Sequence, residues 1–205
     1  MKTEIFFILD RSGSMGGVES DTIGGYNAFL RKQKKDKELT TITTVLFDDN
    51  YELLHNGIDI LNVDFITSKD YFVRGSTALL DAIGKTIANA KRRVTNSKKS
   101  EETTNVIFVI ITDGMENASQ EYSFRSIKKL IDQQKEAGWE FVFLGADLTN
   151  SEDAEKLGLR REKQAYYSKE NTVQAFNAMS DSVSMFKIKG KLDVDWANDI
   201  DENKK

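Results

Sequence analysis

The sequence contains no cysteine and a single histidine, His55, among its 205 residues. Without cysteine the chain has no disulfide, no thiolate ligand for a metal and no cysteine nucleophile. One histidine also argues against a zinc site, because such sites take several nitrogen or sulfur ligands. Metal chemistry in this chain would therefore depend on oxygen-bearing side chains.

Long apolar runs are absent as well. The first run, Ile5–Leu9, has five residues and ends at Asp10, whereas a secretory signal needs about 7–15 apolar residues and a membrane-spanning helix about 20. The net charge of −4 gives no electrostatic reason to expect binding to nucleic acid or to an anionic membrane. We therefore expect a soluble, cytoplasmic protein with neither of these partners.

Short apolar segments alternate with longer segments of helical period. Ile5–Leu9 and Val106–Ile111 are almost unbroken apolar runs, which is typical of strands buried on both faces. Strands are also predicted at Glu140–Leu144, at Gln164–Tyr167, and at Thr41–Phe47 and Tyr51–Leu54, the last two as a hairpin. Helices are predicted at Thr22–Lys34, Leu79–Val94, Phe124–Glu136, Ser151–Leu157 and Thr172–Phe186.

This alternation predicts an α/β fold of the doubly wound, Rossmann-like type. We expect a three-layer sandwich with helices on both faces of a mostly parallel six-stranded sheet that has one antiparallel edge strand. One domain is predicted over residues 1–188, because the helical period ends there. Residues 189–205 are predicted to form a flexible charged tail.

Two aspartates follow the two most apolar strands. Asp10 opens the segment Asp10-Arg11-Ser12-Gly13-Ser14, and Asp113 is followed by Gly114. Ligands of doubly wound sheets bind at the carboxyl ends of the strands, so neighbouring central strands would bring both carboxylates into one crevice. Two buried carboxylates repel each other unless a cation neutralises them. Carboxylate and hydroxyl oxygens favour Mg²⁺, which keeps several waters and takes only one or two carboxylates.

Three motifs, in this order and strand context, resemble the von Willebrand factor A domain and its metal-ion-dependent adhesion site. They are Asp-x-Ser-x-Ser at Asp10, the Gly-Ser-Thr turn that ends at Thr77, and Thr-Asp-Gly around Asp113. The resemblance spans residues 3–187, and Phe143-Leu144-Gly145-Ala146-Asp147 extends it to stand-alone bacterial and phage members. It implies a metal site made of Asp10, Ser12, Ser14, Thr77 and Asp113.

The same resemblance implies what the site does. It would hold Mg²⁺, with Mn²⁺ or Ca²⁺ as alternatives, and leave one coordination position for a glutamate or aspartate of an unknown partner protein. Asp81 and, on weaker analogy, Asn27 would stand in the second shell around the metal. Ala78 departs from the proline that many members have at this position.

Four alternatives stay open. Asp-x-Ser-x-Ser could merely cap the first helix. The chain could be a Mg²⁺-dependent phosphoryl-transfer or hydrolytic enzyme, although Ser12 stands where a haloacid-dehalogenase-like phosphatase has its second acidic residue. The metal could be purely structural, in a scaffold domain. Finally, a carboxylate of the tail could bind the metal of a neighbouring molecule and cause weak self-association; the candidates are Asp193, Asp195, Asp199, Asp201 and Glu202.

Overall fold

The computed structural model describes residues 2–97, 104–145, 151–193, 196 and 200. A six-stranded sheet runs through the molecule in the spatial order β3-β2-β1-β4-β5-β6. Its strands are β1 (Lys2–Asp10), β2 (Thr40–Phe47), β3 (Tyr51–Asp59), β4 (Thr104–Thr112), β5 (Glu140–Gly145) and β6 (Gln164–Tyr166). The hairpin partner β3 is antiparallel to β2, and every other neighbouring pair is parallel.

The described residues form five α-helices: α1 (Glu19–Gln33), α2 (Leu79–Ser97), α3 (Phe124–Glu136), α4 (Ser151–Lys156) and α5 (Thr172–Lys189). Helices α1 and α5 pack together on one face of the sheet, and α2, α3 and α4 contribute to the core on the other face. The three-layer, mostly parallel architecture predicted from the sequence is thus confirmed, including its antiparallel edge strand. Every helix in the described part of the chain is too short or too polar to span a lipid bilayer.

The central strands have few polar side chains because both of their faces are covered. Residues Ile5 to Leu9 of β1 are fully buried, and so are Ile107 to Ile111 of β4. Side chains of alternate parity enter opposite layers, so Phe7 contacts Tyr26 and Phe29 on the α1 side while Phe6 stacks on Phe108 on the other side. Burial of each large apolar side chain stabilises the fold by about 1.5–3 kcal/mol. These two strands therefore form the stable centre of the sheet, and their ends define its carboxyl edge.

The segment after α5 departs from the predicted charged tail. Leu192, Trp196 and Ile200 are buried in the core on the α1–α5 side, and Trp196 Nε1 donates a hydrogen bond to the Glu162 carbonyl at 2.9 Å. These three side chains recur every fourth residue, so an apolar stripe continues past the predicted boundary. Of the tail carboxylates, Asp193 pairs with Lys189, and the other four lie outside the described residues. The flexibility of those residues and the weak self-association stay predictions.

Candidate metal centre

The two predicted aspartates come to one edge of the sheet. β1 and β4 are parallel neighbours, with Leu9 opposite Ile111, so Asp10 and the residues after Thr112 lie at the same carboxyl edge. The negative charge of Asp113 acts on Asp10 and contributes to its raised pKa. The prediction that the two strands are central neighbours is therefore correct.

The Asp10 carboxylate is buried and held from two sides. Its Oδ1 accepts a hydrogen bond from the Ser12 amide at 2.6 Å, and its Oδ2 accepts one from Thr112 Oγ1 at 2.5 Å. Burial raises the pKa of Asp10 to about 6, against the opposing effect of these hydrogen bonds. A negative charge on Asp10 is therefore unfavourable in the folded chain, and a nearby cation would stabilise it.

Three hydroxyl groups stand beside this carboxylate. Ser12 Oγ lies 2.8 Å from Ser14 Oγ, and Thr77 Oγ1 donates to Ser12 Oγ at 2.9 Å. Gly114 faces the same cluster, because a Cβ built there would lie 2.7 Å from both Ser14 Oγ and Thr77 Oγ1. Gly114 thus packs so closely against the hydroxyls that even one methyl group would overlap them.

Hydrogen bonds donated by backbone amides fix the three loops to one another. The Gly13 amide donates to the Gly75 carbonyl at 3.1 Å, and the Arg74 amide donates to the Arg11 carbonyl at 2.9 Å. On the other side, the Thr77 amide donates to Asn117 Oδ1 at 2.9 Å. The position of Thr77 is therefore set by both flanking loops rather than by its own turn alone.

The cluster is buried on one side and open on the other. Asp10, Ser12 and Thr77 are buried, whereas Ser14 is exposed and Asp113 is half-buried. No group of three or more His, Cys, Asp or Glu side chains is placed to hold a metal among the described residues. A metal here would thus take hydroxyl oxygens together with the two carboxylates, which suits a hard cation.

The alternative that Asp-x-Ser-x-Ser caps the first helix is wrong. Helix α1 begins at Glu19 with Val18 in the capping position. Ser12 precedes only a short 3₁₀ turn, Gly13–Met15, and its side chain makes no capping hydrogen bond there. The serines are therefore not required for helix initiation.

The side chains of Asp81 and Asn27 bind the backbone of loops, and their predicted supporting role around the metal stays a prediction. The Asp81 carboxylate accepts from the backbone amides of Gln120, Glu121 and Tyr122, each at 3.0 Å. The Asn27 amide is paired with the backbone of Ile66, at 2.8 and 2.9 Å. Both side chains therefore anchor segments without regular structure, because short polar groups satisfy the backbone of such segments.

Three residues of the site have roles that the sequence motifs did not predict. Thr112 donates to Asp10, Gly114 makes room for the hydroxyls, and the Tyr71 hydroxyl donates to the Asp10 carbonyl at 2.7 Å. A threonine directly after six apolar residues, at the end of a buried strand, is a signal that could have indicated the role of Thr112. Tyr71 gives no such signal, since only the fold brings it to Asp10.

A buried ion-pair cluster adjoins the metal loop. Arg11 is 1% exposed, and its Nε donates to Asp48 Oδ2 at 2.9 Å; Arg74 Nε donates to the same oxygen at 2.7 Å. Burial raises the pKa of Asp48, but hydrogen bonds from Arg74 and Asn50 and the charge of Arg11 outweigh it, so the net pKa lies below its ordinary value. Asp48 thereby ties the loop after Asp10 to the loop before Thr77.

The model of the von Willebrand factor type A domain family matches residues 4–181. The chain belongs to this family. Its members typically serve in adhesion and protein–protein interaction rather than catalysis. No protein with a curated description matches the chain.

Solved structures of several other proteins have the same fold. Proximal thread matrix protein 1 from the mussel byssus has a TM-score of 0.61 at 18% identity over 91% of this chain. The manganese-loaded TRAP protein of Plasmodium vivax has 0.58 at 15%, covering 84% of this chain and 71% of its own. The vWF domain of the pilus tip protein Mfa5 from Porphyromonas gingivalis has 0.64 at 11%, covering 93% and 98%.

The chain spans about half the length of the mussel protein, 46%. A further structure of that protein, with a TM-score of 0.60 at 16% identity, has zinc in its metal-ion-dependent adhesion motif. At these identities the likeness shows the fold alone.

Proposed function

We propose that this chain is a metal-dependent protein-binding module. It would hold a divalent cation, Mg²⁺ by preference, and bind an acidic side chain of a partner protein through it. The observation that carries the proposal is the convergence of oxygen-bearing side chains from three loops at one edge of the sheet. They are Asp10, Ser12, Ser14, Thr77 and Asp113.

The donor set fits a hard divalent cation. It offers only oxygen atoms, and its two carboxylates match the charge of the ion, whereas Ca²⁺ usually takes more oxygens. The close packing of Gly114 against the hydroxyls of Ser14 and Thr77 and the raised pKa of Asp10 support the same assignment. When bound, the cation would supply one coordination position for a carboxylate oxygen from outside the chain.

The chain's own residues would prepare the site and leave it accessible. Ser12 and Thr112 orient the Asp10 carboxylate, while Asn117 and the Gly75 backbone hold the turn that carries Thr77. Exposed Ser14 marks the side from which a partner would approach. Preorganisation of this kind lowers the cost of ordering ligands when the ion binds.

The relatives support a divalent cation without selecting one. The Plasmodium protein is loaded with manganese, and the mussel protein holds zinc. We choose Mg²⁺ here because of the oxygen-only donor set, with Mn²⁺ as the nearest substitute. The proposal also includes a non-catalytic role, a cytoplasmic location and membership of the stand-alone bacterial or phage type. Two residues of the motif that suggests this type, Ala146 and Asp147, lie outside the described residues.

Affinity capture from the native host tests the proposal. The immobilised chain is exposed to lysate with Mg²⁺ and, in parallel, with EDTA. We expect proteins that are captured with Mg²⁺ only and that are lost with Asp113→Ala, because that change removes a charged ligand. Asp132→Ala is the matched control, since Asp132 lies on α3 in an exposed ion pair with Lys128.

Identical captured proteins with Mg²⁺ and with EDTA would contradict the proposal. If the metal is purely structural, Thr77→Ala should change the melting temperature and leave the capture of partner proteins unchanged. Turnover of a phosphate ester that requires Mg²⁺ and is lost with Asp10→Ala would instead identify an enzyme.

A further inference from the structure

A buried tyrosine, Tyr167, lies at the carboxyl edge of the sheet. It directly follows β6, and its amide donates to the Gly145 carbonyl at 3.0 Å. Gly145 is in turn the β5 partner of Thr112, the residue before Asp113. Because neighbouring strands lie about 4.8 Å apart, the backbone of Tyr167 is two strand spacings, or about 10 Å, from the end of β4. That distance is within the combined reach of a tyrosine and an aspartate side chain.

The side chain of Tyr167 is buried in the core layer on the α1–α5 side of the sheet. Ile111, which precedes Asp113 by two residues, belongs to the same layer. So does Tyr71, whose hydroxyl donates to the Asp10 carbonyl at 2.7 Å. The segments that carry both aspartates of the candidate metal centre therefore border the layer that holds Tyr167.

The hydroxyl group of Tyr167 has no hydrogen-bond partner in the described part of the chain, although the residue is only 3% exposed. The other two buried tyrosines of this layer differ in this respect. The Tyr26 hydroxyl lies 2.6 Å from Thr44 Oγ1, and the Tyr71 hydroxyl donates to Asp10. Buried polar groups are nearly always hydrogen-bonded, so the Tyr167 hydroxyl is an exception that requires an explanation.

The two aspartates of the candidate metal centre act on this hydroxyl. Burial raises the pKa of Tyr167, and the negative charges of Asp113 and, to a smaller extent, Asp10 raise it further. The phenol is therefore neutral near pH 7 and keeps its proton for a hydrogen bond. Since Asp113 has the larger effect of the two, its carboxylate is the acceptor that we expect.

We propose that Tyr167 is a positioning residue of the metal centre, whose hydroxyl donates a hydrogen bond to the Asp113 carboxylate when the cation is bound. This inference rests on the proposed function of the site. A carboxylate has two oxygens with about four acceptor positions, so Asp113 can hold a cation and accept from Tyr167 at the same time. Such a hydrogen bond orients the metal ligand, and its loss typically weakens metal binding by about 10- to 100-fold.

The alternative is that Tyr167 only fills space in the core. In that case Tyr167→Phe keeps the packing, removes a hydroxyl that has no partner, and leaves the affinity for the cation unchanged. Any change in stability would then be the same in Mg²⁺ and in EDTA. The two explanations therefore differ in how the metal and the stability of the chain are linked.

The test compares Tyr167→Phe with the native chain by isothermal titration calorimetry, and by urea denaturation in EDTA and in excess Mg²⁺. We expect the dissociation constants for Mg²⁺ and for Mn²⁺ to rise about tenfold. In EDTA the variant should be at least as stable as the native chain, because no hydrogen bond is lost there. The stabilisation by excess Mg²⁺ should be smaller by about 1.4 kcal/mol, the free-energy equivalent of a tenfold change.

Tyr26→Phe is the matched control. Tyr26 is buried in the same layer, but its hydroxyl is already paired with Thr44. Removal of that hydroxyl should lower the free energy of unfolding by the same amount in EDTA and in Mg²⁺, and it should leave both dissociation constants unchanged.

A crystal structure of the Mg²⁺-loaded chain checks the contact directly. The Tyr167 hydroxyl and the nearest Asp113 carboxylate oxygen should lie about 2.5–2.7 Å apart. A separation above about 3.5 Å, or unchanged dissociation constants in Tyr167→Phe, overturns the inference while the proposed function stands. If the native chain binds neither Mg²⁺ nor Mn²⁺, the inference and the proposed function are both wrong.

Discussion

Gly114 offers the sharpest test of how tightly the candidate metal centre is built. In Gly114→Ala the new Cβ would lie 2.7 Å from Ser14 Oγ and from Thr77 Oγ1, and ordinary van der Waals contact begins at 3.4 Å. Each oxygen would have to move by about 0.7 Å, or the loop would have to shift by a comparable distance. Mg²⁺ requires near-ideal octahedral geometry at about 2.0–2.1 Å, so displacements of this size should disturb two of its ligands together.

We therefore expect Gly114→Ala to weaken Mg²⁺ binding by about tenfold or more, a loss comparable to removing a supporting contact at a metal site. The overpacking itself should cost about 1–3 kcal/mol of stability. Isothermal titration calorimetry with Mg²⁺ and with Mn²⁺ measures the first effect, and urea denaturation in EDTA measures the second.

The matched control is Gly24→Ala. Gly24 lies in the interior of α1, and a Cβ there meets nothing within 4 Å. Alanine is the better helix former by about 1 kcal/mol, so this variant should be slightly more stable and bind the ion normally. Native-like Mg²⁺ affinity in Gly114→Ala would refute the assignment of Ser14 and Thr77 as ligands.

Three further predictions follow from the structure. The folded pKa of Asp10, about 6, lies above its ordinary 3.8. Its contribution to stability without metal is therefore fully present below about pH 4 and is lost as the pH rises through 6, by at most about 3 kcal/mol. Denaturation of the native chain and of Asp10→Asn from pH 4 to 7 in EDTA isolates this contribution, and a stability difference that does not change with pH would contradict it. Asp48→Asn should lower the free energy of unfolding by about 3–5 kcal/mol, because it removes the carboxylate that the buried Arg11 shares with Arg74. Asp132→Asn, in an exposed ion pair, should lower it by less than about 1 kcal/mol. Equal losses of stability in urea denaturation would contradict the buried ion-pair cluster. Ending the chain at Gly190 should cost about 5 kcal/mol through loss of the buried Leu192, Trp196 and Ile200, and an unchanged melting temperature would show that they do not pack as described.

The parts of the fold that the sequence predicts well are those where burial is one-sided or complete. The unbroken apolar runs of β1 and β4 and the apolar stripe of α2 leave little choice of element. Strand β3 was predicted only to Leu54 but runs to Asp59. It is an edge strand with mostly exposed or half-buried side chains and irregular pairing near Thr44, so its second half has no alternation to read.

The candidate site shows the same division between local and non-local information. The aspartates and hydroxyls lie in short motifs next to recognisable strands, and the fold brings them together as expected. Asp81 and Asn27 depend on which loop lies opposite, and Tyr71 reaches Asp10 from 61 residues away. Such contacts are set by packing between distant segments, which neither spacing nor period encodes.

Mn²⁺ binding followed by electron paramagnetic resonance tests the central claim most directly. For the native chain we predict one bound ion per molecule, displaced by excess Mg²⁺. In a variant with both Ser12→Ala and Ser14→Ala, two hydroxyl ligands are removed without adding charge, and the bound ion should be lost while the circular dichroism spectrum is kept. Equal Mn²⁺ binding by the native chain and this variant would contradict the assignment of the metal to these loops.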